Sequence, residues 1–255
     1  SQINIRSESG VEQIKLSGQE IRELEPNLSK QIQGGWHFPK AHHTLDPDLI
    51  LKKLYQSYLS QGGQFQKEDV SAIHPSENLI QINNNQFDQV VLCTGAFSKS
   101  LVKQIEGHFI PLETERGYHI EFIDKQKLLS HPTSLVESGM YLTPLHNRLR
   151  AVGTVELGGL HSKISQARIN YIARDAQRLL PALQDYQNPW LGFRPTLPDC
   201  LPVLGNSPKF KNIFYAFGHN HLGWTLGPTT GKLICNLIIK NIPIDQTFHI
   251  SRFLK

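Results

Sequence analysis

Apolar positions recur along this chain with changing period, and the elements they predict change character twice. Ser17-Gly-Gln-Glu20 has the spacing of a capping box, so a short helix opens there and Pro26 ends it. Asp46-Pro47-Asp48 marks a second helix start. The first aspartate caps, the proline fits the first helical position, and Asp48 suits the positive end of the dipole. Leu51, Leu54, Tyr55, Tyr58 and Leu59 then recur at helical spacing until Gly62-Gly63 stops the run. Three strand-like stretches follow, at 64–70, 79–82 and 87–93. The last, Phe87-Asp-Gln-Val-Val-Leu-Cys-Thr-Gly-Ala96, reads as one buried strand entering a glycine turn, the texture of a parallel α/β sheet.

Beyond Gly107 the texture becomes that of an antiparallel sheet. Strands are expected at 108–112, 117–122, 134–136, 139–143 and 148–154, separated by Gly, Pro and Asn turns. Ile169, Ile172, Ala173, Ala176, Leu179 and Leu180 mark an amphipathic helix closed by Pro181. After a proline-rich stretch at 193–202, residues 212–217 read as a strand. It leads through Gly218-His-Asn-His-Leu-Gly223 into a helix over about 228–240. The fold class expected is α/β (α+β), a nucleotide-type sheet interrupted by an antiparallel one. The corresponding divisions are 1–106, 107–190 and 191–255.

Composition narrows the function classes. Hydrophobic residues make up 39% of the 255 and charged residues 19%, enough for a packed core and too apolar for a disordered chain. No apolar run approaches the roughly 20 residues that span a bilayer, and the start lacks a signal-peptide pattern. The net charge of +4 is spread without a basic stripe, which argues against nucleic acid. Cys93, Cys200 and Cys235 are far apart and form no CxxC pair, as suits a reducing, cytoplasmic compartment rather than a disulfide or zinc framework. His42 and His43 lack metal-ligand spacing, and capping accounts for Asp46 and Asp48. Ser98 and Ser207 sit in no GxSxG elbow. The chain opens at Ser1 and its only methionine is Met140, which suggests a processed chain or a piece of a longer one.

At Val90-Val-Leu-Cys-Thr-Gly-Ala-Phe-Ser98, and again at 190–205 and 218–231, the sequence resembles the D-amino-acid oxidase superfamily of FAD-dependent oxidoreductases. Within it the look is closest to D-amino-acid dehydrogenases and glycine or hydroxyproline oxidoreductases. His43-Thr-Leu-Asp-Pro47, Leu112-Glu-Thr-Glu-Arg-Gly-Tyr-His119 and Gly153-Thr-Val-Glu-Leu-Gly158 fit the same pattern in the same order. Family members begin with a strand, a GxGxxG turn, a helix and an acidic residue for the ribose, and nothing here matches that segment. Gly34-Gly35 follows no apolar strand. Ser1 is therefore expected to lie well inside such a protein, leaving a truncated FAD-binding domain that lacks the part holding the AMP half of the flavin.

The resemblance implies FAD as cofactor and a small amino acid as substrate. The C–N bond is oxidised by hydride transfer to flavin, water hydrolyses the imino acid, and oxygen or a quinone-linked acceptor re-oxidises the cofactor. No catalytic side-chain acid or base is implied. Gly218, His219, Asn220, His221, Leu222, Gly223, Trp224 and Thr225 would lie beside the flavin ring, where a helix N-terminus favours negative charge. Cys93, Thr94 and Gly95 would face the ribose or pyrophosphate. Val70 would lie near the adenine, or equally be a core strand residue. Arg194 fits the position that pairs a substrate carboxylate through its planar fork, against the alternative of a surface or capping arginine. Tyr141 could add a hydrogen bond or be a sheet-core tyrosine. His221 stands where the glycine-oxidase branch carries a second arginine, which tilts the reading toward a dehydrogenase. Arg116 and His119 are expected to organise the sheet. Two alternatives stay open: a non-catalytic fragment or subunit whose FAD half comes from another polypeptide, and a glycine- or sarcosine-type oxidase.

Overall fold

The computed structural model describes residues 2–254; Ser1 and Lys255 lie outside the described residues. The chain divides into two compact units. One comprises Ser1–Phe65, Tyr118–Thr154 and Ile164–Leu191, the other Gln66–Gly117, Val155–Lys163 and Gly192–Lys255.

The first unit opens with helix α1 (Gln2–Glu8) and a small antiparallel pair, β1 (Ile14–Ser17) with β2 (Gly34–His37). Helix α2 (Gly18–Leu24) starts at the expected capping box. The Ser17 N–H donates to the Glu20 carboxylate at 2.7 Å, and the Glu20 N–H donates back to the Ser17 hydroxyl at 3.3 Å. Helix α3 (Pro47–Ser60) begins as its cap predicts, the Leu49 N–H donating to Asp46 at 2.9 Å. The glycine stop is steric as well as conformational. Gly62 has φ +87°, and a Cβ on Gly63 would lie 2.4 Å from the Tyr58 ring. The helical pattern is therefore right, yet its apolar stripe faces solvent. No residue of α3 is buried, and Leu51, Leu54 and Tyr58 are exposed.

A five-stranded sheet dominates this unit, in the order β11 (Gln187–Thr196), β7 (Glu113–Ile123), β10 (Arg148–Leu157), β9 (Met140–Leu145), β8 (Thr133–Leu135). Strand alternation sends Tyr118, Ile120, Phe122, Met140, Leu142, Leu149 and Ala151 to one face. There they pack with Ile169, Ile172, Ala176 and Leu179 of helix α5 (Gln166–Leu179).

The other face is polar. The Glu121 carboxylate accepts hydrogen bonds from Arg148 Nε at 3.0 Å, Arg150 Nη2 at 2.9 Å and Asn188 Nδ2 at 3.2 Å. Burial alone would push this carboxyl up, but the bonds from Arg150, Asn188 and Arg148 outweigh it and hold it below the usual range. His119 stacks on Trp190 with ring centroids 4.7 Å apart. Burial, helped by the charge of Arg150, lowers its pKa from 6.5 to about 4. Because the folded value lies below the unfolded one, this group contributes stability above about pH 6.5 that is lost as pH falls toward 4. His119→Phe keeps an aromatic ring on Trp190 and removes the titration. The slope of unfolding free energy against pH between about 6.5 and 4 is expected to flatten, as read by denaturant melts; an unaltered slope would show that His119 does not carry it.

The second unit holds a three-stranded sheet in the order β12 (Val203–Asn206), β13 (Ile213–Phe217), β6 (Val90–Leu92). Strands β13 and β6 are parallel, with Tyr215 opposite Leu92, while β12 is antiparallel to β13. A meander of β3 (Ile73–Pro75), β4 (Ile80–Ile82) and β5 (Asn85–Phe87) precedes it. Helix α4 (Ser98–Glu106) follows β6, and helix α6 (Gly223–Lys240) follows β13. Their core includes Leu92, Leu101, Val102, Ile105, Leu197, Val203, Ile213 and Phe217.

Several expected boundaries are corrected here. The run 87–93 is two strands, because Phe87 pairs with Ile80 whereas the Val90 N–H donates to the Asn212 carbonyl. Residues 64–70 form no strand; the Asn83 side chain ties that polar segment down through Glu68 and Asp69. The stretch 108–112 forms no strand, and the strand starts at Glu113. Part of the proline-rich stretch belongs to β11, an edge strand, where missing N–H groups cost little. Helix α6 starts at Gly223, with Pro228 inside it. Among the described residues no helix is long and apolar enough to cross a membrane.

Candidate functional site

Two strand-to-helix turns and the end of one strand meet in the second unit. The turn after β13 requires two left-handed residues, Gly218 at φ +88° and Asn220 at φ +52°. A side chain on Gly218 would collide with the buried Leu197, 2.8 Å from its Cβ position, so only glycine fits this corner. The Asn220 N–H donates to the Pro195 carbonyl at 3.0 Å, fastening the turn to the residue after Arg194. Gly95, at φ +54°, is in contact range of the same proline, and Phe97 meets Phe193 edge-on at 6.0 Å. The segments 93–97, 193–197 and 218–223 thus form one cluster, built from residues far apart in the chain.

Within it the polar groups differ in how they are held. His219 Nε2 lies 2.8 Å from the Thr230 hydroxyl, a residue inside α6, and burial lowers its pKa. Its ring is therefore neutral near pH 7. His221 is exposed, its Nδ1 3.1 Å from Asn220 Oδ1. Among the described residues no side chain caps the first turn of α6, where Leu222, Trp224 and Thr225 are exposed and a Cβ on Gly223 would meet only His219 Cβ, at 3.5 Å. An uncapped, glycine-led helix start presents backbone donors and the positive dipole end to whatever polar group approaches. Cys93 and Thr94 are exposed beside it, and Thr94 Oγ1 is 2.9 Å from the buried Ser98 hydroxyl.

Arg194 is half-buried, and its guanidinium has no hydrogen bond or ion pair among the described residues. It lies across Gly117, whose Cβ position is 2.6 Å from Arg194 Cζ. By contrast Arg116 is fully buried and internally engaged. It donates to the carbonyls of Ser162 at 2.7 Å and Lys163 at 2.9 Å and pairs with Glu156 at 3.3 Å, as its expected organising role requires.

Two residues of the expected set are not among the contacts that define this cluster. Val70 is exposed and lies in no strand, which removes its core-strand alternative. Tyr141 belongs to the first unit, on the polar face of β9 opposite Val152 and Ser134, and is exposed rather than a core residue. Thr230 and Gly117 were not among the expected residues. A threonine two turns into a helix and a glycine next to a conspicuous arginine carry no local signal of their partners.

Comparison with known proteins gives the family of the chain and its fold neighbours. A D-amino-acid oxidase of Bradyrhizobium diazoefficiens is 29% identical over 98% of this chain and 62% of its own length. A D-amino acid dehydrogenase of Neisseria gonorrhoeae is 30% identical over 90% of this chain and 57% of its own. The chain therefore spans roughly three-fifths of the length of these relatives. Among solved structures, a glycine oxidase from Geobacillus kaustophilus superposes with a TM-score of 0.86 at 25% identity, covering 98% of this chain and 69% of that one. The model of one family, FAD dependent oxidoreductase (DAO), matches residues 2–237, and the chain accordingly belongs to that family.

Proposed function

We propose that this chain forms the substrate-carboxylate site and part of the flavin site of an FAD-dependent oxidoreductase that oxidises the C–N bond of a small amino acid, D-amino-acid dehydrogenase-like. The observation that carries the reading is Arg194. A half-buried guanidinium that pairs with no anion among the described residues is free to take one from a ligand. Its planar fork matches a carboxylate in geometry and charge. The names of relatives agree: D-amino-acid oxidase, D-amino acid dehydrogenase, glycine oxidase.

The residues present fit FAD. The bare Gly223, the left-handed Gly218 and the uncapped start of α6 permit close backbone approach by a flat, electron-rich ring. Thr94 and Gly95 sit in the neighbouring strand-to-helix turn, the place in α/β sheets where ligand polar groups bind. When bound, the flavin supplies the redox chemistry, accepting hydride from the substrate. The chain's own part is to clamp the carboxylate at Arg194 and to keep a neutral imidazole at His219, with Tyr141 and His221 as further substrate-side groups. The divisions 1–106, 107–190 and 191–255 would then alternate between flavin and substrate roles, and oxygen or a quinone-linked acceptor would take the electrons.

The test is anaerobic bleaching of the flavin band in the FAD-loaded protein by a panel of glycine, sarcosine, D-alanine and D-proline. At least one is expected to bleach it, whereas the matching amine without a carboxylate is not. A panel that leaves the band untouched refutes the reading.

A further inference from the structure

We infer that Gly117 is a positioning residue for the carboxylate clamp, the seat on which the Arg194 guanidinium lies flat; this rests on the reading of Arg194 as the group that binds the substrate carboxylate. A Cβ at position 117 would stand 2.6 Å from Arg194 Cζ, 2.6 Å from Nη2 and 3.0 Å from Nε. Those three atoms define the plane of the guanidinium, so one face of that plane is laid against the strand backbone. Its edge, where the N–H groups point, engages no other described residue.

Backbone conformation does not explain the glycine. Gly117 lies inside β7 and lacks the positive φ seen at Gly95, Gly107 or Gly218. Glycine in a strand interior weakens the strand and is found where another group must come close. The group that comes close here is Arg194, and nothing else lies among the three nearest atoms. The strand itself is firmly held on either side of the seat. Arg116 is anchored to the carbonyls of Ser162 and Lys163, and Thr114 is buried. The seat is therefore rigid while the arginine resting on it has no polar tether among the described residues.

A long flexible side chain without a tether samples many rotamers, and a bidentate contact requires two N–H groups aligned at once. Laying the plane on a bare backbone leaves only sliding motion, so both donors present together to a carboxylate arriving edge-on. Gly117 sets affinity for the carboxylate without touching it.

The experiment is a double-mutant cycle of Gly117→Ala and Arg194→Ala in the FAD-loaded protein. Acetate binding by NMR titration is the first readout, and the split between KM and kcat for an oxidised amino acid is the second. Gly117→Ala is expected to weaken acetate binding tenfold or more and to raise KM by a similar factor, with kcat changed less than threefold. In the Arg194→Ala background it is expected to change acetate binding less than twofold, because the clash has lost its partner. If Gly117→Ala alone fails to fold, the double variant is expected to fold, since the obstructed guanidinium is gone. A double variant that also fails to fold overturns the inference. So does unchanged acetate binding in Gly117→Ala, or equal weakening in both backgrounds. Acetate binding that Arg194→Ala leaves undiminished instead overturns the carboxylate reading itself.

Discussion

Replacing Arg194 by alanine in the FAD-loaded protein is expected to raise the KM for its amino-acid substrate by roughly thirty- to a few thousand-fold, the equivalent of about 2–5 kcal/mol for truncating one partner of a buried charge pair. The effect should fall on KM more than on kcat. A substrate carboxylate carries the same charge before and during hydride transfer, so its contact with Arg194 stabilises ground and transition states alike. Arg194→Lys should recover only part of the loss, since an ammonium retains the charge and not the fork. Steady-state kinetics on the two variants decides the matter. A KM that stays near the wild-type value in Arg194→Ala would remove this residue from the substrate site and with it the main support for the proposed activity. The lack of a partner among the described residues makes the prediction sharp: with none of their carboxylates freed by the substitution, loss of ligand binding is the principal consequence.

How far the fold could be read beforehand tracks how local each signal is. Helices α2 and α3 were legible because a cap involves residues three apart, Ser17 with Glu20 and Asp46 with Leu49. Strand β11 was hidden because Pro189 and Pro195 look like breakers, and only its place at the sheet edge makes them harmless. The apolar run through Phe87 and Val90 looked like one strand because an amphipathic pattern does not record that its two halves pair with different neighbours. Pro228 misplaced the start of α6, since proline more often opens a helix than sits in its second turn. The site divides the same way. Arg194 and the 218–225 turn stood out through short motifs, whereas the contact of Gly117 with Arg194 and that of Thr230 with His219 exist only once the chain has folded.

The largest expected effect on stability comes from Glu106→Ala. Glu106 ends α4 and is fully buried, and its Oε1 accepts from the Ser207 hydroxyl at 2.6 Å and the Tyr215 hydroxyl at 2.5 Å. The Lys209 ammonium also donates to its backbone carbonyl. Burial, then the Glu106 hydrogen bond, pushes the Tyr215 phenol up, so it remains a proton donor at every physiological pH. Removing the carboxylate strands that donor and the Ser207 hydroxyl in the core and opens a cavity as well. The expected cost is about 3–5 kcal/mol. For a protein of this size that lowers Tm by roughly 6–20 °C in a calorimetric melt. Glu106→Gln keeps one acceptor oxygen for the two hydroxyls and should cost less, about 1–2 kcal/mol, because Oε2 has no hydrogen-bond partner to lose among the described residues. A melt of Glu106→Ala within about 1 kcal/mol of wild type would show the two hydroxyls to be satisfied without the carboxylate. The position matters beyond stability. One carboxylate ties the end of α4, the turn at Ser207 and strand β13 together, and β13 runs directly into the turn that holds His219. Loosening Glu106 is therefore expected to weaken ligand binding at that turn before the unit as a whole unfolds.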